Sequence, residues 1–427
     1  MYSLITLLFI AGYAAIAFEH PLKINKTASA LLTGVLCWVV YIMGSSNTEL
    51  VSEQLYEHLG QISGILFFLL GAMTIVELID AHDGFEIITS KITTKDKRKL
   101  LWIISLVAFF LSSVLDNLTT TIVMVSLLRK LIRDRQTRLF FIGIVVIAAN
   151  AGGAWTPIGD VTTTMLWIGG QITTGNIMLK LFLPSMACLV VPLILLSFRI
   201  RGKIENTEVE EITQTNPTTS FERKLILGLG IGALVFVPVF KTITHLPPFL
   251  GILFGLGILW VVTELIHKNK NDADKDVYSV VHALRKADTP SVLFFLGILV
   301  AISALESTHL LSELAAGMDR TIGNINIIVI SIGLLSAIID NVPLVAATMG
   351  MYDMQTYPTD HYFWEFIAYC AGTGGSCLII GSAAGVAAMG MEKIDFLWYV
   401  KKISWIALLG YFAGALIYMA EHYLLYL

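Results

Sequence analysis

The strongest constraint on this chain is the layout of its apolar residues. They fall in blocks of about 17 to 25, the length that carries an α-helix across a bilayer core of ~30 Å, and not in amphipathic stripes. Such blocks predict spans at about 2–18, 27–43, 61–80, 139–167, 177–199, 224–242, 249–266, 290–306, 362–390 and 403–422. An all-α polytopic membrane protein follows, with the lipid bilayer as its first partner. Composition agrees, because 56% of the 427 residues are hydrophobic and 14% are charged, against roughly 25% charged in a soluble domain. So few charges cannot cover a soluble surface of this size.

Several function classes drop out. The net charge is −4 and like charges form no long block, so nucleic acid is not expected as a partner. A Walker loop, a dinucleotide fingerprint and an HExxH motif are all missing, which argues against ATP use, against an enzyme and against a bound cofactor. Cys37, Cys188, Cys370 and Cys377 sit inside apolar segments without CxxC spacing and read as packing thiols. Residues 1–18 lack a basic leader and read as a first span, not a cleaved signal.

Two further apolar segments, 100–132 and 325–352, are longer than one span and too short for two. Each carries an acid-amide pair at its middle, Asp116-Asn117 and Asp340-Asn341. Lys91, Lys95, Lys97, Arg98 and Lys99 precede the first segment, and Arg129, Lys130, Arg133, Arg135 and Arg138 follow or end it. Both flanks are therefore predicted to be cytoplasmic, which makes 100–132 a re-entrant hairpin. The second segment has only Arg320 on one flank and Asp353 and Asp360 on the other, so it is predicted to enter from the opposite face. Loop 44–60 has no Lys or Arg and falls outside, and ten spans then place both termini outside.

The halves resemble each other weakly but in order. Trp38 matches Trp260, Leu66 matches Leu293, Glu77 matches Glu306, Asp116 matches Asp340 and Gly152 matches Gly374, at offsets of 222 to 229 residues. The first spans of the halves start on opposite sides, so two inverted repeats of five spans are expected, each with one hairpin and one broken helix. Repeat one covers 1–200, a polar cytoplasmic linker covers 201–222, and repeat two covers 223–427. Inverted repeats with interrupted helices are an architecture of secondary transporters, with substrate sites near the midplane.

The residues that carry chemistry sit at the interruptions. In LSSVLDNLTTT, Asp116 or Asn117 caps the returning half-helix, at about 1 kcal/mol for a cap. A central Asp costs ~2.5 to 3.5 kcal/mol, and Asn alone would cap more cheaply, so Asp116 is expected to function, with Thr119 beside it. In SAIIDNVPL, Pro343 suits the first turn of a helix; Asn341 is expected to cap and Asp340 to function. Span 139–167 is broken at NAGGAWTPIGDVTTT, where Gly152 turns the backbone and Asp160 caps the second half, with Asn150, Thr156 and Thr162 as further oxygen donors. The counterpart GTGGSCLIIGSAAG places Ser382 opposite Asp160; Ser376 and Ser382 are either ligands or ordinary backbone-bonding hydroxyls. Glu77 and Glu306 lie near helix ends, where function competes with snorkelling. His82 and His309 follow them, either as pH sensors or as ordinary terminal histidines.

No Lys or Arg lies within 100–128, 139–179 or 325–392. Asp116, Asp160 and Asp340 therefore lack an evident fixed counter-ion, and protons or bound cations must neutralise them. Carboxylates that alternate between those partners describe a cation/proton exchanger.

At SSVLDNLTTT, NAGGAWTPIGD and the second DNVP, and over nearly its whole length from FEHPLKINK, the chain resembles the D-type (NhaD) sodium/proton antiporters of the ion transporter superfamily. Other branches of that superfamily, including divalent-anion/sodium symporters, carry Ser-Asn-Thr at the hairpin tips; an acid at both tips would repel a dicarboxylate. The resemblance implies a homodimer in the bacterial inner membrane, with a scaffold domain and a transport domain moving as an elevator. By correspondence, the scaffold holds spans 2–43, 224–266 and the last span of each half. The expected function is exchange of cytoplasmic Na⁺, and Li⁺, for external H⁺, with Na⁺ at Asp116, Asn117, Asn150 and Asp160. The alternative is a sodium-coupled symporter of a di- or tricarboxylate or an inorganic anion.

Overall fold

The computed structural model describes residues 1–200, 202–204 and 218–425. Among them every extended regular element is a helix, and an isolated antiparallel bridge joins Asp96 to Lys203. Most of the linker expected at 201–222 lies outside the described residues. Its end already belongs to the helix Ser220–Thr244, which a Thr219–Glu222 capping box starts.

Among the described residues, eight helices are long and apolar enough to cross a bilayer: Lys26–Gly44, Thr48–Ala81, Arg135–Ala154, Thr174–Arg199, Ser220–Thr244, Pro248–His267, Thr289–Ser307 and Phe396–Leu424. The other two expected spans are present in different form. Tyr2–Ala17 is a 16-residue helix, and the segment 362–390 is divided into Tyr362–Gly374 and Ala383–Glu392, each too short alone. One boundary differs widely. The span expected at 61–80 begins at Thr48, because the Asn47 side chain accepts from Leu50 N and caps a continuous 34-residue helix. At 1.5 Å per residue it is about 51 Å long and outreaches a bilayer core.

The expected hairpins are helix pairs, Lys97–Ser112 with Asn117–Leu131 and Ile325–Leu335 with Asn341–Met351. Each arm has 11 to 16 residues, fewer than the ~20 that cross a bilayer.

Small residues decide the packing, as expected where lipid removes the hydrophobic drive between helices. Lys26–Gly44 lies against Thr289–Ser307, with Gly34 facing the Gly297 carbonyl oxygen and Trp38 Nε1 donating to Val300 O at 2.8 Å. Thr48–Ala81 packs on Ser220–Thr244 and Pro248–His267. The first hairpin packs on Arg135–Ala154, where a Cβ on Gly152 would drive into the Phe109 carbonyl. Gly374 stands in the same relation to the Gly333 carbonyl of the second hairpin. Ser112 Oγ donates to Ala149 O at 2.6 Å and Ser336 Oγ to Ala371 O at 3.0 Å.

One expectation about grouping is overturned. Thr174–Arg199 and the helix Trp405–Leu425 were assigned to the scaffold with the first spans. They pack instead on each other and on the hairpin and broken-helix group. Gly410 seats against the Cys188 carbonyl, and Tyr369 Oη donates to Tyr411 O at 2.8 Å. At the end of the broken helices rich in Lys and Arg, Glu392 accepts from Arg129 and Arg138.

Candidate functional site

Each interruption restarts a helix with a side-chain cap. Asp116 accepts from Thr119 N, Asp160 from Thr162 N, Asp340 from Val342 N and Ser382 from Gly385 N. Four half-helix N-termini, the positive ends of their dipoles, thus gather around one region. The cap of the second hairpin is Asp340, not Asn341 as the sequence led us to expect. This frees the Asn341 amide to point elsewhere.

Asp160 is the centre of the region, 2% exposed. Its Oδ1 accepts from Thr162 N at 2.9 Å and Thr162 Oγ1 at 2.8 Å, and its Oδ2 accepts from Asn117 Nδ2 at 2.7 Å. Asn341 Nδ2 stands 3.5 Å from both oxygens. Asn117 also donates to Asn150 Oδ1 at 3.0 Å, and Asn150 Nδ2 continues to Ser382 Oγ at 2.9 Å and Ser376 Oγ at 3.3 Å. Both hairpin tips and both helix breaks therefore meet in one buried polar network. Asp116 and Asp340 act on Asp160 through space.

The other expected donors have different placements. Asp116 holds Thr119 through its backbone N at 2.7 Å and Oγ1 at 2.8 Å. Thr156 pins the break, donating to Ser113 O at 2.7 Å and accepting from Gly159 N at 3.1 Å. Thr163 and Thr164 donate to Asp160 O, and Thr164 also to Pro157 O inside the break. Glu77 is half-buried, with Asp80, Lys286 and Asp116 as charged neighbours. Glu306 is exposed beside Gly350, at the far end of the second hairpin from Asp340. His82 lies elsewhere, with its Nε2 2.9 Å from that of His267.

Two features escaped the sequence reading. Asp340 has a fixed counter-ion after all: Lys26 Nζ lies 3.3 Å from its Oδ2. The 314 residues between Lys26 and Asp340 hide this contact from the sequence. The hydroxyls of Thr120 and Thr121 are buried and have no hydrogen-bond partner. Their motif, LDNLTTT, was visible, but a hydroxyl left unpaired in the fold has no sequence signal.

A family model described as "Citrate transporter" matches residues 13–364. Sodium/proton antiporter 1 of Arabidopsis thaliana is 54% identical, covering 97% of this chain and 72% of the relative. Sodium/proton antiporter 2 of the same plant is 51% identical over 97% of this chain and 99% of the relative. The Na⁺/H⁺ antiporter NhaD of Vibrio cholerae is 30% identical over 97% of this chain and 90% of the relative. The chain belongs to the NhaD-type antiporter family. As a member of that family it is a multi-pass membrane transporter and not an enzyme. The NhaD-type match spans both hairpins and both broken helices, so the network around Asp160 lies inside the shared region.

Proposed function

We propose that the chain exchanges cytoplasmic Na⁺, and Li⁺ with it, for external H⁺, both ions competing for the Asp160 carboxylate. The observation that carries this reading is a buried carboxylate met by two asparagine amides and no basic side chain within hydrogen-bonding distance among the described residues. An amide holds donor and acceptor on one pivot. With Asp160 ionised and empty, Asn117 and Asn341 turn N–H groups to it. Rotated about the Cβ–Cγ bond, the same amides offer carbonyl oxygens to a cation held by Asp160, with Thr162 and Asn150 in the same hydrogen-bonded network and the unpaired hydroxyls of Thr120 and Thr121 on the half-helix that Asn117 begins. A proton on Asp160 removes the charge that holds the cation, so the two ions exclude each other. The names of the plant and bacterial relatives support the same exchange.

The test is direct. Vesicles reconstituted with the protein and carrying a pH gradient lose the gradient when Na⁺ is added, and vesicles with Asp160→Asn keep it. Wild-type exchange by Asp160→Asn would refute the assignment. A second reading, sodium-coupled uptake of a tricarboxylate, is favoured by the description of the matching family model. Na⁺-dependent uptake of labelled citrate would establish it; the uncompensated charge of Asp160 opposes it.

The wider architecture is part of the proposal. Repeats 1–200 and 223–427 run inverted, both hairpins are re-entrant, and both termini lie outside. The paired contacts of Gly152 with Phe109 and Gly374 with Gly333 support the repeat. A homodimer would use the glycine-lined groove at Gly228, Gly232 and Gly255. The bacterial inner membrane is its proposed site, in line with the bacterial source of the Vibrio cholerae relative; the Arabidopsis relatives come from a plant.

A further inference from the structure

We propose that Lys26 is a positioning residue for ion exchange, the fixed cation that balances Asp340 when the second hairpin tip is seated against the helix Lys26–Gly44. This rests on the exchange reading above and adds a residue and a coupling to it. Lys26 is held in place from several directions. Its backbone N donates to Glu19 Oε1 at 3.2 Å, and Asn25 caps the turn through Thr27 N at 2.8 Å. Thr27 Oγ1 donates to Pro290 O at 3.0 Å, and Lys26 Nζ sits 4.4 Å above the buried ring of Phe294. The base of the side chain is thus anchored to two packed helices while its ammonium reaches Asp340 Oδ2 at 3.3 Å. Both partners are only half-buried, so the pair is open enough to separate.

The two hairpin tips differ in this respect. Asp116 accepts from Thr119 and from the Leu118 backbone, whereas Asp340 has an ammonium. Asp340 immediately precedes Asn341, whose amide faces Asp160, and Asp340 and Asp116 both act on Asp160. The groups facing Asp340 are Lys26, with Glu19 behind it, Tyr13 of Tyr2–Ala17, and Asp160. Lys26 is the one cation in that set. The ion pair ties the second hairpin tip to the helix Lys26–Gly44, and Asn341 follows Asp340 directly in that tip. Lys26 therefore holds the Asn341 amide where it faces Asp160.

The experiment compares wild type, Lys26→Arg, Lys26→Gln, Asp340→Asn and the double variant Lys26→Gln/Asp340→Asn. Each is read by radiolabelled Na⁺ binding to purified protein and by vesicle exchange, both over a range of Na⁺ concentrations. Lys26→Gln is expected to move the half-saturation point about tenfold toward higher Na⁺. Lys26→Arg stays near wild type. Adding Lys26→Gln to Asp340→Asn, where Asn keeps the cap, moves nothing further. An unchanged profile in Lys26→Gln overturns the proposal, as does a shift that persists in the Asp340→Asn background. If Lys26→Gln alone fails to fold, the Asp340→Asn pair decides: equal midpoints uphold the coupling and unequal ones reject it. A wild type that binds Na⁺ without exchanging it would sink the exchange reading while leaving the binding profiles to judge Lys26.

Discussion

Asn117 and Asp160, 43 residues apart, are joined by a 2.7 Å hydrogen bond from amide to carboxylate, and that bond ties the first hairpin tip to the first helix break. Hydrogen bonds to charged groups are worth about 1.5 to 3 kcal/mol. Asn117→Ala is therefore expected to raise the apparent Km for Na⁺ at least about tenfold, measured by vesicle exchange over a range of Na⁺ concentrations. Unchanged Km would show that Asn117 does not attend the ion.

Asp160→Asn should fold and fail to exchange. Asn caps a helix about as well as Asp, so the cap on Thr162 N survives and stability changes by less than about 1 kcal/mol. The thermal midpoint in detergent should stay close to wild type while gradient dissipation disappears. Loss of both together would reduce Asp160 to a structural cap.

Thr120→Val and Thr121→Val separate a ligand from an idle hydroxyl. Each removes an unpaired buried oxygen at nearly constant shape, which is neutral or stabilising for an unliganded fold. If the oxygens attend the cation, Na⁺ affinity falls although the protein is no less stable. Equal affinity and higher stability in both variants would remove them from the site.

Gly152→Ala and Gly374→Ala place a methyl against the carbonyls of Phe109 and Gly333. Backbone cannot yield as a side chain does, so each should lower stability by about 1 to 3 kcal/mol or more. The readout is the melting temperature in detergent. Gly257→Ala, where nothing lies near the added methyl, serves as the neutral control.

Glu392 lies beyond the apolar stretch that ends at 390. Burial pushes its carboxyl up, but hydrogen bonds from Arg129 and Arg138, with their charges, outweigh burial and hold it below the ordinary 4.5. A depressed carboxyl contributes stability that is complete above the ordinary value and is lost as pH falls through the depressed one. Glu392→Gln should therefore be less stable than wild type at neutral pH, with the gap closing as pH drops below the ordinary 4.5 and through the depressed value. Melting curves across pH test this; a constant gap would remove the charge from the account.

The helices were legible because lipid imposes one length on apolar runs, and the breaks were legible because Gly, Pro and Asp interrupt such runs conspicuously. The meeting of Asn117, Asn150 and Asp160 could be anticipated from the motifs that hold them. Which member of each acid-amide pair caps could not be read in advance, since Asp and Asn cap equally well and the choice at 340–341 depends on what lies opposite each side chain. Lys26 escaped because the contact spans most of the chain. The packing of Thr174–Arg199 and Trp405–Leu425 escaped for a similar reason: uniformly apolar helices carry no address, and Gly410 against Cys188 shows only after folding.

The glycine seats on the Phe109 and Gly333 carbonyls have a mechanical consequence. Two helices that touch backbone to backbone have no side chains between them to act as a cushion, so neither can slide past the other by rotamer changes. A hairpin tip cannot advance toward an ion while its broken helix stays behind. Whatever displacement opens this protein to either side, hairpin and broken helix make it together, as one stiff piece carrying the Asp160 seat unaltered.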